Sequence, residues 1–279
     1  MVLEIAFIAV LVGLPVGLAL GLTGGGGSLL AVPLLMAFMG FAPEQAVPLS
    51  LLVVASSSAL GSVWVLRAGQ VELRPVLVFA MFGLMTAPLG LKLGAWLPSS
   101  LFVGAFGAVS LLVGGLMWRQ AGTPQAVPPR AGAGRDETAA VCALRDDGQL
   151  RFSAPCAAVL ALVGAATGLL TGVLGIVGGF VIVPMLVAVT QLGIHRAVAS
   201  SLLIITVIAL GGAVSAAVSG QLVMAPGVSG FLAGGLMGMA AGRAIAPRLP
   251  GGLLQRGFAV AIVIVGFYMI WKRVSGGFA

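Results

Sequence analysis

Gly21-Leu22-Thr23-Gly24-Gly25-Gly26-Gly27-Ser28-Leu29-Leu30-Ala31-Val32-Pro33-Leu34-Leu35 occurs twice in this chain. The second copy reads Gly172-Val173-Leu174-Gly175-Ile176-Val177-Gly178-Gly179-Phe180-Val181-Ile182-Val183-Pro184-Met185-Leu186, at an offset of 151 residues. Extending the pairing without a gap sets 11–94 against 162–245, and 23 of those 84 positions are identical. Many matches fall on residues that shape backbone, including Gly17/Gly168, Gly24/Gly175, Pro33/Pro184, Gly69/Gly220 and Pro75/Pro226. The chain is a duplication.

Composition gives the class. Hydrophobic residues make up 60% of the chain and charged residues 8%, with a mean hydropathy of +1.19. A water-facing surface needs far more charge, roughly 25% of residues in an average soluble domain. Long uncharged runs such as 46–66, 101–118, 152–195 and 197–242 are the lengths that cross a bilayer once or more. An all-α, polytopic membrane protein follows. The net charge of +7 comes from bases between apolar runs and lacks the interleaved aromatics of a nucleic-acid surface, so nucleic acid is not an expected partner. Cys142 and Cys156 show no metal or redox spacing. Glu4 and the missing basic start make the N-terminus a first membrane helix rather than a cleaved signal.

In chain order, a span is expected over 3–22, a short apolar piece over 29–40, and further spans over 46–66, 75–91 and 101–118. Pro88 is expected to kink its span. The second half repeats the series at 153–174, 180–191, 197–219, 226–242 and 253–271. The domain plan is therefore a first transmembrane repeat, 1–118, a polar cytoplasmic linker, 119–152, a second repeat, 153–272, and a tail, 273–279. The linker carries five arginines, four carboxylates and Pro128-Pro129, the composition of a solvated connector.

Parity decides the symmetry. If each short piece extends the helix before it, each half has four passes and the halves are parallel. If it returns through the membrane, each half has five and the halves are inverted, so the total is about eight to ten membrane segments. An inverted plan with its N-terminus outside puts Arg67, Arg74, the linker arginines, Arg196, Arg243, Arg248 and Arg256 inside, 11 of 14 bases. The best parallel plan places 9 of them inside. Charge bias favours inversion by that margin.

Duplicated membrane halves with matching helix interruptions are the sequence signature of secondary transporters, whose substrate sites lie where half-helices end near mid-membrane. Helices beginning near Ser28 and Gly179 turn unpaired N–H groups and positive dipole ends toward that point, which suits an anion. Glycine lets a ligand approach the backbone, although glycines also simply permit tight helix crossing. The candidate substrate-binding residues are Gly24, Gly25, Gly26, Gly27, Ser28 and Pro33, with Gly175, Gly178, Gly179 and Pro184 in the second copy, and the matched Ser50 and Ser201. Ser56, Ser57, Ser58, Ser200 and Thr206 add hydroxyls that either meet a substrate oxygen or bond back to their own helix. Gln70 and Gln221 match in short loops, and Lys92 matches Arg243 at helix ends, as vestibule groups or as interfacial anchors. Glu44 aligns with His195 after the short piece and is a candidate proton carrier or an interfacial charge.

The doubled G-x-x-x-G-x-x-G-x-x-G…V-P-x-L resembles the sulfite exporter TauE/SafE family. So do the A-V-x-x-S-L-L at 46–52 and 197–203 and the Gly-Gln loops before Pro75 and Pro226. The resemblance covers nearly everything except the linker. It implies an inner-membrane carrier of small sulfur-containing anions such as sulfite, sulfoacetate or related sulfonates, in a family usually described with eight spans. The chain departs from an exact doubling where Gly25-Gly26 face Ile176-Val177, so a symmetric ligand cage is not expected.

An enzyme is disfavoured: the chain holds one histidine, with no H-E-x-x-H and no carboxylate dyad to carry chemistry. No cofactor or metal is implied. The expected partners are a small anionic substrate, the lipid bilayer and a coupled proton or other ion. The competing reading is a membrane scaffold that docks a partner through its linker.

Overall fold

The structure is a computed structural model and describes residues 2–69, 71–122, 154–175, 179–190, 194–222, 227–246 and 251–274. Within them the chain forms helices and no strand. The first half gives α1 (Val2–Thr23), α2 (Ser28–Phe38), α3 (Pro43–Arg67), α4 (Leu73–Ala95) and α5 (Ser99–Gly122). The second gives α6 (Ala154–Leu174), α7 (Gly179–Thr190), α8 (Ile194–Val218), α9 (Val228–Ile245) and α10 (Gly251–Val274). Each expected apolar piece is a helix. α5 runs on to Gly122, into the expected linker, and α4 continues as helix through Pro88.

Among the described residues, seven helices are long and apolar enough to cross a membrane: α1, α3, α4, α5, α6, α8 and α9. α2, with 11 residues, is only about 16 Å long at 1.5 Å per residue, about half a hydrocarbon core. Pro33 lies inside α2 and leaves one backbone acceptor without its usual partner. The exposed surface is apolar, with Leu77, Met85, Leu112, Leu162, Val214, Ile264 and Phe267 all outward, as a lipid-facing surface requires. The protein is a multi-pass membrane protein.

Packing exchanges elements between the halves. α1 packs chiefly on α9, and its counterpart α6 packs chiefly on α4, the counterpart of α9. Both contacts are made backbone to backbone through glycine. The Gly17 Cα faces the Gly235 carbonyl, and Gly168 faces the Gly83 carbonyl. Small residues allow such close approach, which supplies dispersion where lipid leaves little hydrophobic drive. Along α1 and α9 the contacts advance together, from Ala6–Gly230 through Val10–Gly234 to Leu18–Gly242, so these two helices run parallel. α3 and its own counterpart α8 behave oppositely: Gly61 meets Leu202, while Gly212 meets Leu51. Equivalent residues exchange partners, and the two helices run antiparallel. α5 and α10 are antiparallel too, with Gly107 at Ile270 and Gly114 at Val263.

α3 and α8 occupy the centre and are the most buried of the long apolar helices. Between them the Ser62 and Thr206 hydroxyls bond at 2.8 Å. Cys156, buried at the start of α6, is disulfide-bonded, which its spacing in the sequence does not suggest.

Candidate functional site

α1 ends at Thr23 because the next residue, Gly24, takes φ +72°, and α6 ends before Gly175 at φ +67°. Left-handed backbone costs an L-residue with a Cβ about 1–2 kcal/mol, so glycine fits both places. At the first break the Gly26 N–H donates to Thr23 Oγ1 at 2.7 Å, and the Thr23 hydroxyl donates to the Ala19 carbonyl at 2.8 Å. The Ser28 hydroxyl donates to the Gly25 carbonyl at 3.2 Å. The first break is therefore a folded turn in which part of the backbone is already satisfied.

The two breaks meet across the halves. A Cβ on Gly25 would lie 2.6 Å from the Gly179 Cα, the first residue of α7. Gly24 packs on Val198, and Gly175 packs on its counterpart Val47. The matched serines complete this exchange. The Ser201 hydroxyl is shared between its own Val198 carbonyl at 2.8 Å and the Gly24 carbonyl at 3.1 Å. The Ser50 hydroxyl is shared between the Val47 carbonyl at 2.7 Å and the Gly175 carbonyl at 3.4 Å. Each serine thus caps a carbonyl that a helix C-terminus would otherwise leave unpaired.

The structure thus gathers Gly24, Gly25, Gly175, Gly179, Ser50 and Ser201 into one buried cluster near the middle of the bundle. Gly26 and Ser28 are buried beside it, and Gly27 turns to the Val16 carbonyl of α1 instead. Pro33 is buried along α2. Gly178 and Gln70 lie outside the described residues, as do the side chains of Pro184 and His195. Among the other hydroxyls, Ser56 and Ser58 bond back to the Val53 and Ala55 carbonyls. Ser57 is buried with no hydrogen-bond partner among the described residues.

The charged candidates separate to two ends. At one end Glu44 and Gln221 share a pocket of about 250 Å³ with Gln45. Lys92 is exposed nearby, outside the pocket wall. At the other end Arg243 stacks over the Trp64 ring at 5.5 Å. There Arg196 pairs with Glu72 at 3.0 Å, and the Glu72 N–H donates to the Ser200 hydroxyl at 3.3 Å. Sequence reasoning singled out neither Thr23 nor the Arg196–Glu72 pair. Thr23 was visible as a hydroxyl three residues ahead of Gly26, the spacing of a local side-chain cap. The ion pair joins residues 124 positions apart, and no local pattern signals it. Among the described residues no group of His, Cys, Asp or Glu is placed to hold a metal.

Duplicated halves, short broken helices and a buried backbone cluster between them define a membrane transporter. The sequence matches the model of the sulfite exporter TauE/SafE family over residues 9–269. The chain belongs to that family. Two proteins named "Probable membrane transporter protein", from Xylella fastidiosa strains Temecula1 and 9a5c, are each 33% identical to it over 260 residues, 92% of either chain. No solved structure matches it.

Proposed function

We propose that the protein is a secondary carrier of a small sulfur-containing anion, such as sulfite, sulfoacetate or a related sulfonate, in the inner membrane. One observation carries the reading: the glycine breaks of the two halves lie in contact, each tied by the other half's serine. A membrane carrier needs irregular backbone only where it is enclosed by protein and meets its cargo. N–H groups at the start of α2 and α7 supply partial positive charge there without a buried base.

We further infer that the halves are inverted repeats. The antiparallel pairing of α3 with α8 and of α5 with α10, each a helix with its own counterpart, supports this. A parallel duplication would make equivalent helices run the same way. Inversion lets each half take up the other's conformation, which alternates access to a fixed site.

Uptake of labelled sulfite, sulfoacetate and sulfate into proteoliposomes tests the function. Saturable flux of one sulfur anion supports it. Well-folded protein that moves none of them would sink it. Deleting 122–149 separates the carrier from the scaffold: a carrier keeps its flux within about twofold, because the polar, proline-containing composition of that stretch is that of a connector.

A further inference from the structure

From the pocket at the Glu44 end, and resting on the anion-carrier reading above, we propose a loading site where one small oxyanion binds together with one proton. The pocket of about 250 Å³ lies among the start of α3, the end of α4, the start of α5 and the last turn of α6. It is of a size for a few non-hydrogen atoms with their water, smaller than most drug-sized sites. Its inner wall reaches Val47, Gly172 and Val173. Val47 is the residue that packs against Gly175 and whose carbonyl shares the Ser50 hydroxyl. An anion in the pocket is therefore separated from the second break by that one contact layer.

The wall supplies two kinds of polar group. Gln45 and Gln221 present side-chain amides that no hydrogen bond engages among the described residues. Amide N–H groups donate to sulfur-bound oxygens without adding charge, and the apolar Leu91 and Phe102 keep those bonds from being diluted by water. Among the described residues, Glu44 at the rim is the sole titratable side chain in this wall. Around it, α4 brings the exposed Lys92 outside the wall, while the wall residues contributed by α5, α6 and the loop at Gln221 are uncharged.

A carboxylate and an oxyanion confined together repel each other unless one of them carries a proton. Loading therefore takes up a proton from the same side, held on Glu44 or shared with the anion, and release on the far side returns it. At the position equivalent to Glu44 the second half has His195, and Gln45 is replaced by Arg196, which is paired with Glu72. The proton-carrying carboxylate thus belongs to one end alone.

The test uses full-length protein in proteoliposomes, with labelled sulfite and sulfoacetate outside and a pH-sensitive dye inside. Sulfoacetate stays fully ionised near neutral pH, so protons that move with it travel on the protein. Wild type is expected to acidify the lumen with anion uptake, and more steeply at lower external pH. In Glu44→Gln, whatever uptake remains is expected to move no proton and to lose its pH dependence. Gln45→Ala and Gln221→Ala should each raise the KM about tenfold at little change in maximal rate, the loss of one hydrogen bond to a charged ligand. Proton movement that persists in Glu44→Gln overturns the proposal while leaving the carrier reading intact. So does an unchanged KM in both glutamine variants. Absence of wild-type flux for every anion overturns both readings.

Discussion

The break of the first half carries hydroxyls of its own, Thr23 and Ser28, where the second half has Leu174 and Gly179. At the first break Thr23 holds the Gly26 N–H and Ser28 reaches the Gly25 carbonyl. Leu174 and Gly179 offer no such groups, and the hydrogen bond recorded from a side chain to the Gly175 carbonyl comes from Ser50 in the opposite half. The backbone solution is the same in both copies, with a left-handed glycine packed on a matched valine. Among the described residues, Thr23 and Ser28 fasten the first break locally, and Ser50 ties the Gly175 carbonyl of the second from the opposite half. The two ends differ as well, since the amide-lined pocket abuts the second break while the Arg196–Glu72 pair lies at the other end.

Substitutions can break or sharpen this contrast. The largest effect is expected where the two breaks touch. Gly25→Val forces side-chain atoms into the Gly179 backbone, and a displacement of about 1 Å at a transport site costs on the order of 100-fold in rate. Flux in proteoliposomes, with helicity as the folding control, reads it. Next come Gly24→Ala and Gly175→Ala. Each places a Cβ on left-handed backbone and should cost about 1–3 kcal/mol of stability in thermal unfolding. Serine removal should then separate the halves. Ser50→Ala strips the second break of its cross-half donor and is expected to cost about 2 kcal/mol. Ser201→Ala, which leaves Thr23 and Ser28 in place, is expected to cost about 1 kcal/mol. Equal losses would mean the two breaks are supported alike. The smallest effect belongs to Arg196→Ala, whose partner lies at the solvent-accessible end; exposed ion pairs contribute under about 1 kcal/mol.

Much of this architecture was legible in the residues. Gly24 and Gly175 were visible as breaks because glycine clusters interrupt apolar runs at matching positions, and that match also located both short helices. Ser50 and Ser201 stood out by their equivalence. Sequence offers them either as donors to a substrate or as groups that bond back to their own helix, and the structure has each hydroxyl shared between its own helix and the carbonyl of the opposite break. Partner choice could not be read. The glycines of α1 announce close packing, but nothing in their spacing says that the partner is α9 in the other half. Glu44 and Gln221 were separate candidates whose shared pocket depends on the tertiary path of four helices.

The central claim is that an anion crosses where the two breaks meet. The most direct measurement is initial flux of labelled sulfite and sulfoacetate by wild type and by Gly25→Val, reconstituted at equal folded amounts. The account predicts saturable wild-type flux and a loss of about 100-fold in the variant. Equal flux through both proteins would contradict it.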